Sequence, residues 1–234
     1  MRGYSHALSG AVTGAAAGEL VLHLPLTGTL TLSAFTAGWA TWNDLDQCGS
    51  CAARSLGFAS EAVAWVVRKL SGGHRHLTHS ALGVAIFTAL AWAACHYRHS
   101  VPGRIVLGAF LLLGIAAGLG ALRLGGHHAD VLALAASAAI VWTGWGLALV
   151  PLATGLGMAT HICGDMLTVE GCPVFDPLTS RHFGLPRPVG FTTGTWRETR
   201  IVDPLALVAL ILLAFNAVAP GIELSVWATA LHAI

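Results

Sequence analysis

The chain has 234 residues; 55 % are hydrophobic even without its 28 glycines, and only 10 % are charged. An ordinary soluble domain carries roughly 25 % charged residues, and the mean hydropathy here is +0.71. Too few polar groups are available to face water on all sides, so the composition predicts an integral membrane protein. It excludes a soluble enzyme, a secreted disulfide-stapled mini-domain and a disordered tail. A formal net charge of +1 leaves no nucleic-acid footprint.

In chain order, a first apolar segment runs from about Ala7 to Leu24 and a second from about Thr29 to Trp42. Both are short against the roughly 20 residues a bilayer helix needs, which fits a tilted or re-entrant pair. Ser55 to Leu70 contains Glu61, Arg68 and Lys69 and reads as an interfacial helix. Spans follow at about His79–Tyr97 and Ile105–Leu122. The stretch between Asp130 and Asp165 holds no Asp, Glu, Lys or Arg and is too long for one helix. Pro151, Gly155 and Gly157 divide it into spans near Val131–Val150 and Leu152–Met166. Residues 167–200 form a polar, Pro/Gly-rich loop, and a last span at Ile201–Ala219 precedes a short apolar tail to Ile234. The expected fold is an all-α polytopic membrane helix bundle of about six or seven spans, one integral domain over residues 1–234. Gly10, Gly14 and Gly18 recur every four positions, a pattern of tight helix packing. No cleavable-signal pattern opens the chain, because His6 and Glu19 interrupt the first apolar stretch.

The connectors predict orientation. On this topology Arg2, Arg54, Arg68, Lys69, Arg75, Arg123, Arg181, Arg187, Arg197 and Arg200 lie on one side, against Arg98 and Arg104 on the other. That bias places the richer side in the cytoplasm, and so predicts a multi-pass protein of the inner, cytoplasmic membrane.

The same side collects four patches of ligand-type residues: Ser5-His6, Asn43 to Gln47, His74 to Ser80, and His161 to Asp165. Twelve histidines stand against the single Lys69, an excess that asks for a purpose in a membrane. His161 and Asp165 share a helix face at i, i+4, with Cys163 pointing away. Asp44 and Asp46, two apart, would share one side of an extended connector. Thr78 is a suitable N-cap, which would put His79 at a helix start and His74 on the loop before it. Imidazole and carboxylate together suit zinc, and also iron or manganese. The ligand set exceeds the needs of one divalent ion, so two or more metals are expected. Such an ion lowers the pKa of a bound water and yields a hydroxide nucleophile near neutral pH. Arg75 offers a planar fork of donors for a phosphate.

Plainer readings stand beside these. A polar network tying helix ends together would explain one patch, though four less well. His23, His96, His99 and His232 read as hydrogen-bonded interfacial residues, and so do His127 and His128. His76 is ambiguous. Cys48 and Cys51 form a C-x-x-C that, with Cys163 and Cys172, gives only a weak structural-zinc signal; the five cysteines do not look like a disulfide framework. Glu19, a carboxylate inside an apolar segment, is either a functional group or the partner of a buried hydrogen bond.

The patches resemble those of the YdjM-like family of membrane-bound, metal-dependent hydrolases, also described as LexA-binding, inner-membrane-associated putative hydrolases. The matching stretches are Ser5-His6, Asn43-Asp44-Leu45-Asp46, His74 through Ser80 and His161 through Gly171, with Phe191, Gly194 and Glu198 in a later loop. Asn43 replaces a usual Pro, Gln47 a frequent His and His76 a Gly. The resemblance implies a hydrolase distantly similar to zinc-dependent phospholipases C. The expected ligand set is His6, Asp44, Asp46, His79, His161 and Asp165, with His74 next; the expected catalytic residues are Arg75 as phosphate clamp, Glu198 as acid or base, and Asp165. The substrate expected at an interfacial site is a phosphoester of a membrane lipid or lipid-linked molecule. A divalent-metal transporter or sensor, and a non-catalytic scaffold using residues 167–200, are the competing classes. Metal identity and count, substrate and oligomeric state are not legible from these residues.

Overall fold

The computed structural model describes residues 1–218; the apolar tail and His232 lie outside them. Eight α-helices make up the described chain: α1 (Gly3–Ala16), α2 (Leu26–Trp39), α3 (Phe58–Leu70), α4 (Ala81–His96), α5 (Val101–Ala121), α6 (His127–Thr143), α7 (Val150–Met166) and α8 (Asp203–Val218). A π-helical turn extends α1 over Ala17–Val21, and another, Glu198–Val202, leads into α8. Among the described residues there is no strand, only two isolated bridges within the long loop.

Three helical stretches are long and apolar enough to cross a membrane: Val101–Ala121, Leu147–Met166 and Glu198–Val218. Helices α2 and α4 are shorter, at 14 and 16 residues. At about 1.5 Å per residue, a 14-residue helix rises about 21 Å against a core of roughly 30 Å. The first two apolar segments are therefore a close antiparallel hairpin, turned at Leu22–Pro25. Helix α3 is a separate amphipathic helix. It leaves Phe58, Trp65 and Leu70 exposed beside Arg68 and Lys69, as expected of an interfacial element.

Small residues allow the hairpin to close. A Cβ added at Gly10 would lie 2.6 Å from Ala40 Cβ, and one at Gly14 would lie 2.7 Å from the Leu32 carbonyl oxygen. At Gly157 of α7 a Cβ would meet the Ala40 nitrogen at 2.7 Å. Helices α1, α2 and α7 thus pack backbone to backbone, with α4, α5 and α8 around them. The core is aromatic beneath this contact. Trp39 is fully buried between Phe35, Trp42 and Phe110, at ring separations of 5.3, 6.1 and 5.6 Å.

Two connector expectations are corrected. Trp42–Asp46 is a 3-10 turn, not an extended segment; residues two apart on such a turn lie about two-thirds of a turn apart, so Asp44 and Asp46 face different ways. The N-cap of α4 is Ser80, whose hydroxyl accepts from the Gly83 N–H at 3.1 Å, rather than Thr78. His79 lies just before this helix, in the 3-10 turn Leu77–His79.

Candidate metal centre

Each ligand-type patch is delivered by a different element to one end of the bundle. His6 sits in the first turn of α1, Asp44 and Asp46 in the turn after α2, His74 and His79 in the connector before α4, and His161 and Asp165 on the last turns of α7. His6 stacks on His161 with ring centroids 3.5 Å apart, and His79 meets His161 edge-on at 5.1 Å. Two sets of ligand atoms converge: His6, His161 and Asp165, and Asp44, His74 and His79. The i, i+4 pair on α7 is realised, with His161 Nε2 3.7 Å from Asp165 Oδ2, while Cys163 faces outward.

The two sets share carboxylates. Asp44 Oδ1 lies 3.6 Å from His79 Nε2 and 3.8 Å from His161 Nε2. Asp165 lies 3.4 Å from His6 Nε2 and 3.8 Å from His79 Nε2. Asp165 also meets the Met1 amino group, and Arg75 Nη2 at 3.5 Å. These buried imidazoles are under-satisfied: His6 Nδ1 and Nε2, His79 Nε2 and His161 Nε2 have no hydrogen-bond partner. For His161 the proton can be located. Nδ1 lies 2.7 Å from the Ala40 carbonyl, which can only accept, so Nδ1 carries the hydrogen. In the neutral ring the lone pair of Nε2 then faces two carboxylates. That arrangement is repulsive unless a proton or a metal ion lies between them, and it is also how a metal-ligating histidine is held. The donor set therefore fits a divalent ion.

The charges of the connector respond accordingly. Burial alone would lower the His79 pKa, but the nearby carboxylates of Asp44 and Asp46 outweigh it and raise it to about 9. Burial alone would raise the Asp46 pKa, but hydrogen bonds from His74 and His79 bring it down to about 2. Asp44 falls further below the usual range: burial opposes this, and the neighbouring His161 and His79 overcome it.

Other predicted residues stand at the edge or outside. Asp46 belongs to neither ligand set. Arg75 has a left-handed backbone, φ 59°. Its guanidinium donates to the Gly171 carbonyl at 3.1 Å and lies 3.7 Å from Glu170, pinning the start of the long loop to the cluster. Glu198, expected as acid or base, is fully buried, and its oxygens accept the backbone N–H groups of Arg2 and Gly194 at 2.6 and 2.5 Å. Its contacts tie the N-terminus of α1 to the entry of α8, where a negative charge also suits the helix dipole. His76 lies 3.8 Å from Asp176, away from both sets, and Gln47 is exposed. Glu19 accepts a hydrogen bond from Asn216 of α8. All five cysteines are free, and none joins a ligand group among the described residues. Burial pushes the Cys172 thiol up to about 12, which disfavours a thiolate there.

The sequence places Asn43 in the second patch but gives it no role. It is buried, and its amide donates to the Thr78 carbonyl at 2.7 Å, joining the second and third patches. No local sequence signal could have found this, because the bonded carbonyl belongs to a different connector.

Fold and site together define a helical membrane protein with a buried His/Asp cluster at one end of its bundle. The chain belongs to the YdjM inner membrane protein family, whose model matches residues 1–222. No curated protein and no solved structure matches it.

Proposed function

We propose that this protein is a multi-pass, metal-dependent hydrolase of the inner membrane. Its site faces the cytoplasm and acts on a phosphoester of a lipid or lipid-linked substrate. The observation that carries the reading is the trio of buried, unpartnered Nε2 atoms of His6, His79 and His161 aimed at Asp44 and Asp165. Zinc is the ion this donor set suits best, with manganese and iron as alternatives, and each of the two ligand sets would hold an ion. A bound ion would supply Lewis-acid polarisation of the phosphoryl group and a water of lowered pKa. The remaining roles belong to the chain. Asp44 and Asp165 would hold the ions, His161 would be oriented by the Ala40 carbonyl, and Arg75 would swing from Glu170 to neutralise substrate phosphate. The amphipathic α3 and the basic loop 167–200 would keep the site at headgroup level. The distant relation to zinc-dependent phospholipases C that the family resemblance implies favours the phosphoester; the arginine bias of the connectors supports the cytoplasmic face.

A transporter would distribute ligands along a path through the membrane. Among the described residues they gather at one end, and Glu19 is already paired with Asn216. Two measurements test the proposal. Elemental analysis of the purified protein should find one or two equivalents of divalent metal. Phospholipid vesicles incubated with the protein should release a phosphate-containing product, and Asp165→Ala should abolish that release. A metal-free preparation, or hydrolysis unchanged in Asp165→Ala, would overturn the reading.

A further inference from the structure

We infer that Asp46 is a positioning residue rather than an ion ligand: with Thr78, it dictates which nitrogen of His79 and His74 carries the proton and so which is left to bind metal. The functional meaning of this rests on the metal reading above.

The inference follows from the direction of each hydrogen bond. A carboxylate only accepts. Four groups converge on Asp46: His74 Nδ1 at 2.8 Å on one oxygen, and on the other the Arg75 N–H at 3.2 Å, the Thr78 hydroxyl and His79 Nδ1 at 3.5 Å. The Thr78 hydroxyl has one proton, and it goes to Asp46. Its lone pairs then face His79 Nδ1 at 3.1 Å, so that nitrogen must be the one bearing hydrogen. His79 Nε2, buried and unpartnered, is left facing Asp44 and Asp165. By the same logic His74 donates from Nδ1 and presents Nε2. Asp46 thereby does for His79 and His74 what the Ala40 carbonyl does for His161.

The surrounding backbone serves this geometry. Gly72 and Gly73 at φ 83° and 118°, and Arg75 at φ 59°, reverse the chain so that His74, the Arg75 N–H and Thr78 all meet one carboxylate. Asn43 holds the Thr78 carbonyl, and Arg68 donates to the Asp46 carbonyl at 3.1 Å. With both oxygens engaged and full burial, Asp46 has little left to offer an ion.

The test is zinc titration of the detergent-solubilised full chain by calorimetry, with Asp46→Asn, Thr78→Val and Asp44→Ala. Losing an orienting partner typically weakens metal affinity by about 10–100-fold. Asp46→Asn and Thr78→Val should show that loss at the wild-type number of ions, whereas Asp44→Ala should bind fewer. Thr78→Val is nearly isosteric and keeps the carbonyl used by Asn43, so it tests the relay even if Asp46→Asn does not fold. Nitrogen-15 spectra of zinc-free protein in strongly alkaline buffer, where even His79 is neutral, should place the His79 proton on Nδ1, and Thr78→Val should redistribute it. A lost ion in Asp46→Asn, wild-type affinity in Thr78→Val, or a wild-type proton on Nε2 would each overturn the inference. If the wild type binds no zinc, the metal reading falls, and the His79 proton position still decides this one.

Discussion

His79 sits where a proton and a metal ion would compete for the same ring. Its pKa rises from 6.5 to about 9, so its pairing with Asp44 and Asp46 stabilises the fold fully below 6.5 and is lost as pH climbs through 9. Without metal, thermal unfolding should therefore shift to lower temperature across that window. Zinc affinity should change in the opposite sense, tightening over the same range as proton competition fades; titrations in buffers of different ionisation enthalpy would read the released proton. At the acid end, Asp46, at about 2 against an unfolded 3.8, contributes stability above 3.8 that is lost as pH falls through 2. Glu198 gives a second residue-level prediction. Replacement by Gln leaves one of two backbone N–H groups facing an amide donor, at a cost of about 1–3 kcal/mol for an unsatisfied buried group. Glu198→Gln should lower the unfolding temperature and leave zinc stoichiometry intact; a variant of wild-type stability without hydrolysis would instead restore the acid–base role. Residue types were readable from the sequence because His and Asp are too costly in apolar segments to be incidental. How they pair with one another was not, since that depends on hydrogen-bond directions such as Thr78 to Asp46.

At the scale of elements, the site is only as good as the contact between α1, α2 and α7. Gly14 lies against backbone, with Leu32 oxygen and Ser33 Cα both at 2.7 Å from where a Cβ would stand. Gly14→Ala must push α1 away from α2, and overpacking of this kind costs typically about 1–3 kcal/mol. Because α1 carries His6 and α2 leads into Asp44, the variant should lose both unfolding temperature in detergent and zinc retention. The four-residue glycine spacing announced this packing in advance, as the i, i+4 spacing announced the His161–Asp165 face. The connectors were less legible. Whether Asp44 and Asp46 share a side depends on whether their segment is extended or a 3-10 turn, and five residues carry too little periodicity to decide. Thr78 and Ser80 are both good caps, and the competition was settled by Asp46 claiming the Thr78 hydroxyl.

At the scale of the whole molecule, the cluster end of the bundle carries most of the arginines. Arg2 pairs with Asp203 at 3.0 Å there, while Arg98 and Arg104 lie around the α4–α5 turn. On a cysteine-free background, Arg187→Cys should react with an impermeant thiol reagent only from the cytoplasmic side, and Arg98→Cys only from the opposite side. Labelling of both from one side would refute the proposed orientation. Composition by itself determined that this is a membrane protein, because a chain with 10 % charged residues has no means of covering a water-facing surface. Periodicity and spacing determined the helical class and the shared face of His161 and Asp165. Tertiary structure alone decided that His6 and His161, 155 positions apart in sequence, stack face to face, and that Glu198 closes a helix end. Local sequence encodes which face a residue takes on its own helix; only the close approach of separate helices sets which faces meet.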